Sequence, residues 1–146
     1  MDLFCVKMKT DFFNLGFEIG GLLHLTGKQA YTCLQQGAML VDVRADYEIA
    51  IKDFDVQNKI YCPFTASDSM LKTLPPDTPL IVADCVGLHS KEIALKLLEH
   101  GYTKIANLSG GIAAWERDGL PMSHEAETMN GQCMCQIRSR KKDARD

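Results

Sequence analysis

Four short apolar runs, each followed by a helical pattern, constrain this chain more than any other feature. The runs fall at residues 39–43, 60–64, 80–83 and 104–108. Amphipathic segments lie around them. Thr26-x-x-Gln29 has the form of a capping box, Ala30, Cys33 and Leu34 supply the inward stripe that follows, and Gly37 ends it. Residues 46–52 and 67–74 carry shorter helical patterns. Residues 90–100 place Ile93, Ala94, Leu97 and Leu98 on one face before Gly101, and Gly110-Gly111 opens a last helix through Trp115 that Gly119-Leu120-Pro121 stops. Strands that alternate with helices in this way predict an α/β fold, with a mainly parallel sheet covered on both faces. Ligands of such sheets bind beyond the carboxyl ends of the strands.

Composition narrows the class. The 146 residues are 46% hydrophobic and 24% charged, which suits one well-buried domain. A net charge of -3 gives no basic footprint for nucleic acid. No run reaches the ~20 apolar residues of a membrane helix. Phe4, Phe12, Phe13 and Phe17 are interrupted by Asp2, Lys7, Lys9, Asp11, Asn14 and Glu18, so the N-terminus is not a signal-peptide core. The expected location is therefore cytoplasmic, with six reduced cysteines at positions 5, 33, 62, 85, 133 and 135. No paired C-x-x-C motifs suggest a structural metal, and no cofactor is expected.

Residues 80–90, LIVADCVGLHS, carry the chemistry. The apolar strand runs straight into Asp84, Cys85 and Gly87, and a helix opens at Ser90. Unpaired backbone N–H groups and the positive end of the helix dipole gather at such a junction, favouring anions and lowering a thiol's pKa. Cys85 read this way is a thiolate in an anion-binding loop of Val86, Gly87, Leu88, His89 and Ser90. Read otherwise, it is a small packed cysteine. Ser90 is expected to cap the helix, Asp84 to cap the turn, and His89 to be exposed.

The chain resembles the rhodanese-like domains. Leu40-Val41-Asp42-Val43-Arg44 with Tyr47-Glu48 resembles the family's first motif. Leu108-Ser109-Gly110-Gly111-Ile112 with Trp115 and Gly119-Leu120-Pro121 resembles its last, and the strand, loop and helix of residues 80–100 stand at the active-site position. The resemblance implies a five-stranded, mainly parallel rhodanese-like sheet. It also implies sulfane-sulfur transfer through a cysteine persulfide, from a small sulfur donor to a thiol acceptor, with a protein acceptor as a further candidate.

The loop departs from the family pattern Cys-x-x-Gly-x-Arg-Ser. Aligned on its glycine and serine without a gap, Asp84 occupies the nucleophile position, Cys85 comes one residue late and His89 replaces the arginine. The other register keeps Cys85 as the catalytic thiol in a loop one residue shorter. Two functions follow: a sulfurtransferase using Cys85, with Cys133 or Cys135 as a thiol relay, or a non-catalytic binding or regulatory module with Asp84 in the nucleophile's place. A phosphatase wants Cys-x5-Arg, and Lys91 stands where that arginine would be. Asp42 and Arg44 are expected to form a buried pair that holds the strand and loop. The expected organisation is an N-terminal extension (1–23), a rhodanese-like domain (24–121) and a flexible basic tail (122–146) carrying the C-x-C pair.

Overall fold

The computed structural model describes residues 15–124. The residues before and after, with the expected tail relay Cys133 and Cys135, lie outside the described residues. Eight strands and five helices follow in order: β1 Phe17–Ile19, β2 Leu22–Leu25, α1 Gly27–Gln35, β3 Met39–Asp42, α2 Asp46–Ile51, β4 Lys52–Phe54, β5 Lys59–Tyr61, α3 Asp68–Leu71, β6 Leu80–Ala83, α4 His89–Glu99, β7 Ile105–Leu108, α5 Gly111–Arg117 and β8 Met122–His124.

The main sheet has the order β1-β2-β7-β6-β3-β5. β2, β7, β6, β3 and β5 are mutually parallel, as the βα alternation requires. β1 adds an antiparallel sixth strand at one edge, pairing Phe17 with His24. The expected five-stranded sheet is thus the parallel part, extended by a hairpin that Gly20 and Gly21 turn, both at positive φ. A second, two-stranded sheet joins β4 to β8, with Lys52 opposite His124. β2 runs across residues 22–25, and β8 occupies residues 122–124.

Side chains of the central strand divide by parity. Ile81 and Ala83 pack with Leu25, Leu34, Leu40, Phe54 and Trp115 on the face covered by α1 and α5. Leu80 and Val82 pack with Val41, Leu71, Ile93 and Leu97 on the face covered by α3 and α4. All four β6 side chains are fully buried, which is why that strand reads as an unbroken apolar run. The capping box at α1 forms as the sequence predicts: Gln29 N donates to Thr26 Oγ1 at 3.2 Å, and Thr26 N donates to Gln29 Oε1 at 2.9 Å. No helix among the described residues is long and apolar enough to cross a membrane.

Candidate active-site loop

β6 ends at Ala83, between β3 and β7, and the loop 84–88 leads from it into α4. Backbone bonds hold the strand end: Val43 N donates to Ala83 O at 3.0 Å, Ile112 N to Asp84 O at 2.8 Å and Ala113 N to Cys85 O at 3.1 Å. The last two bring the first turn of α5 against the loop. Gly111, at φ 60°, permits that approach, since a Cβ there would land on the Asp84 and Cys85 backbone. Gly87 turns the loop at φ 97°.

The Asp84 carboxylate fills the ring of loop amides. Gly87 N donates to Oδ1, and His89 N and Ser90 N donate to Oδ2 at 2.8 and 3.3 Å. The last two are the first residues of the eleven-residue α4, so Asp84 satisfies its otherwise unpaired N-terminal amides and lies at the positive end of its dipole. Asp84 is 4% exposed. Asp84 thus caps the turn as expected, whereas Ser90 does not cap the helix. The residue before the helix is Leu88, which has no side-chain cap bond, and Ser90 sits within the first turn rather than ahead of it.

Behind Asp84 runs a buried polar chain. Ser90 Oγ donates its one proton to Asn107 Oδ1, 2.5 Å away, and lies 3.3 Å from Asp84 Oδ1. Asn107 Nδ2 is 3.2 Å from His24 Nδ1. Burial and the nearby Lys91 hold the His24 pKa below its ordinary value. Neither Asn107 nor His24 was singled out in the sequence. Each interrupts an apolar strand with a polar residue, and that is the signal that marks them.

Cys85 faces the other way. Its thiol donates to Glu48 Oε2 on α2 at 3.0 Å. Burial, the hydrogen bond to Glu48 and that carboxylate's charge push the thiol up to about 11, against a smaller pull from Arg44. The sequence predicted a lowered thiol pKa, and the correction has two causes: Cys85 is partly buried, and it meets a carboxylate while the amides act on Asp84. Glu48 is held below the usual carboxylate range, first by the Cys85 hydrogen bond and then by the bond from Ala45 N. The Cys85–Glu48 contact joins residues 37 apart in sequence, and nothing in either local pattern announces it.

Arg44 fixes α2 in position. It forms the expected buried pair with Asp42, Nη2 to Oδ2 at 2.8 Å, and donates through Nη1 to Lys52 O at 2.7 Å. His89 is exposed, as expected, and stacks on Phe64 with ring centroids 4.0 Å apart. Val86 and Leu88 point outward, 55% and 68% exposed.

The Rhodanese-like domain family model matches residues 26–118. A thiosulfate sulfurtransferase GlpE of Haemophilus influenzae is 31% identical over 102 residues, covering 67% of this chain and 91% of the relative. The corresponding protein of Actinobacillus succinogenes is 34% identical over 103 residues, covering 67% and 87%. Among solved structures, a rhodanese-related protein of Thermoplasma volcanium superposes with a TM-score of 0.60 at 22% identity, covering 68% of this chain and 96% of that one. A rhodanese-like domain from Anabaena gives 0.62 at 18% identity, covering 83% and 95%. These two likenesses speak to the fold, and the family model and the curated relatives to the lineage. On that evidence the chain belongs to the rhodanese-like family, among the relatives of the thiosulfate sulfurtransferases.

Proposed function

We propose that this protein is a rhodanese-like binding or regulatory module whose anion cradle is filled by its own Asp84, rather than a working thiosulfate sulfurtransferase. One observation carries the reading: the two Asp84 oxygens take the amides of Gly87, His89 and Ser90. A sulfur carrier needs those donors for the anionic sulfur and for the charge on the incoming donor. A carboxylate cannot accept sulfane sulfur as a thiolate does, and its negative charge repels an anionic donor.

The thiol beside it is poorly suited to the same work. With a pKa of about 11, roughly one Cys85 in ten thousand is a thiolate at neutral pH.

A second reading is favoured by the Cys85–Glu48 contact. Glu48 takes the thiol proton, the thiolate attacks the outer sulfur of thiosulfate, the S–S bond breaks, and sulfite leaves with that bond's electron pair, giving a Cys85 persulfide. The proton transfer weighs against it. It runs uphill, from a thiol pushed up to about 11 to a carboxylate held below the usual carboxylate range.

The test is a thiosulfate:cyanide assay on the wild type, Asp84→Cys and Cys85→Ser. The wild type is expected to stay at the uncatalysed rate. Asp84→Cys, which puts a thiol before the amides, should exceed it at least ~10-fold, the order a pre-organised donor set supplies. Wild-type turnover abolished by Cys85→Ser alone would overturn the proposal in favour of sulfur transfer at Cys85.

A further inference from the structure

The buried polar residues behind Asp84 form a wire that the proposed function leaves unused. Its three members sit on three elements: Ser90 in the first turn of α4, Asn107 on β7 and His24 on β2, one strand in from the edge strand β1. They are 0%, 2% and 8% exposed. His24 lies opposite Asn107 in the parallel pairing of β2 with β7. Leu22 and Ile105, two residues earlier on the same strands, pack with Ile93 and Leu97 of α4, so the alternation of side chains turns His24 and Asn107 toward that helix. Groups this deep have few partners, and the direction of each hydrogen bond follows from which atom holds a proton.

Asn107 Nδ2 carries two protons and no lone pair, so it donates across 3.2 Å and His24 Nδ1 accepts. The neutral ring therefore keeps its proton on Nε2, which has no hydrogen-bond partner among the described residues. Asn107 Oδ1 in turn accepts the Ser90 hydroxyl proton at 2.5 Å. Ser90 Oγ, 3.3 Å from Asp84 Oδ1, then has only lone pairs to present to the carboxylate. The wire runs outward from Ser90 to His24, and Asp84 is held by the amides of Gly87, His89 and Ser90.

We propose that His24 is a proton-operated switch on this cradle: its protonation reverses the wire and gives Asp84 a further donor, the Ser90 hydroxyl. A second ring proton, taken from solvent onto Nδ1, meets the Asn107 amide protons head on. A half turn of the Asn107 amide relieves this. Oδ1 then accepts from His24 Nδ1, Nδ2 donates to Ser90 Oγ, and the hydroxyl proton swings to Asp84 Oδ1. The turn exchanges an oxygen and a nitrogen of nearly equal size, so the packing around Asn107 stays in place. The groups facing the ring come from three elements. Phe17 of β1 stacks on it with centroids 5.3 Å and planes 15° apart, while Glu18 alternates to the other side of that strand. β7 presents the neutral Asn107, and α4 presents Lys91. Burial and Lys91 both oppose the proton, so the switch works on the acid side of the ordinary histidine range. Acid tightens the hold on Asp84, and neutral pH loosens it. The inference rests on where Asp84 sits and not on whether Cys85 carries sulfur, so it stands or falls separately from the proposed function.

Nuclear magnetic resonance of the full-length chain tests it, in a His89→Gln background that removes the imidazole of the loop itself. The signals followed, from about pH 8 to about pH 4.5, are the His24 ring nitrogens, the Asn107 side-chain amide, the Asp84 carboxyl carbon and the backbone amides of Gly87 and Ser90. At the upper end His24 should show a protonated Nε2 and a bare Nδ1. On acidification every signal should shift with the midpoint of the ring. His24→Gln should abolish the shift at that midpoint for Asn107, Asp84 and the loop amides. Ser90→Ala, which cuts the wire without touching His24, should keep the shift at His24 and Asn107 and lose it at Asp84 and Gly87; it carries the test alone if His24→Gln does not fold. Four results would overturn the proposal. They are a neutral ring protonated on Nδ1, a ring that stays neutral over the whole range, a titrating His24 with Asn107 and Asp84 unmoved, and loop shifts that persist in Ser90→Ala. The last would make the coupling a field through space rather than a reversal of hydrogen bonds.

Discussion

Two adjacent residues, Asp84 and Cys85, lie at the end of one strand and meet opposite fates. Asp84 turns into three N–H donors, and Cys85 turns toward a carboxylate. The thiol's state therefore depends on Glu48. Replacing it by Gln removes the charge and the acceptor that favour the protonated form, so the Cys85 pKa falls toward its ordinary value, with Arg44 now pulling further. Carboxamidomethylation of Cys85 at pH 8, followed by peptide mapping, should speed up about 10-fold for each unit of fall. An unchanged rate would show that burial alone sets the thiol. The same shift links to stability. A folded-state pKa raised above the unfolded one contributes stability that is complete below the unfolded value, near 9, and is lost as pH rises toward 11. The melting temperature should decline across that window in the wild type and decline less in Cys85→Ser.

At the scale of elements, the short helix α2 is the piece that completes the site, and it is weakly self-sufficient. It has six residues and none of them is buried. Arg44 compensates by tying Asp42 of β3 to the Lys52 carbonyl at the start of β4, so that α2 is clamped at both ends and Glu48 faces Cys85. Arg44→Met strands Asp42 without its partner in a fully buried position, which costs about 3–5 kcal/mol. The double replacement Asp42→Leu with Arg44→Met should cost clearly less, because no unpaired charge remains. Urea denaturation of the three proteins measures both. Equal losses in single and double variants would mean that packing, not charge, sets the cost. α1 needs no such clamp, since its capping box and four buried residues, Gly27, Ala30, Cys33 and Leu34, hold it.

For the whole molecule, the parallel strands β7, β6 and β3 form the deepest layer, covered on both faces, and the edges are thin. β1 is three residues long and all of them are exposed; β8 pairs only with the short β4. Local opening follows burial. Hydrogen exchange should be slowest at residues 80–83, slow in β3 and β7, and fast in β1 and β8. Protection of β1 equal to that of β6 would contradict this order. The site loop stands between these regimes: its root is fixed by β6 and by the bonds from Ile112 and Ala113, while Val86 and Leu88 face solvent.

The sequence by itself determined the parallel core and the strand–loop–helix junction at residues 80–90. Apolar runs such as 80–83 are legible because burial on both faces leaves no polar residue to interrupt them, and the Thr26–Gln29 cap is legible because its partners are three residues apart. The no-gap register of the loop also pointed to Asp84, since the glycine and the serine fix the spacing of the amides. Short edge elements were not legible. β1, β4 and β8 have three residues each, too few to show a period, and β4 pairs with β8 across the chain where Phe54 and Pro121 both contact Trp115. Only the tertiary structure decided the character of the thiol. The helix end that the sequence offered Cys85 went to its neighbour, and the packing of α2, through a contact 37 residues away, put a carboxylate against the sulfur. Local sequence fixes which backbone donors a loop presents. Which side chain meets them, and what charge the other one faces, depends on elements that arrive from elsewhere in the chain.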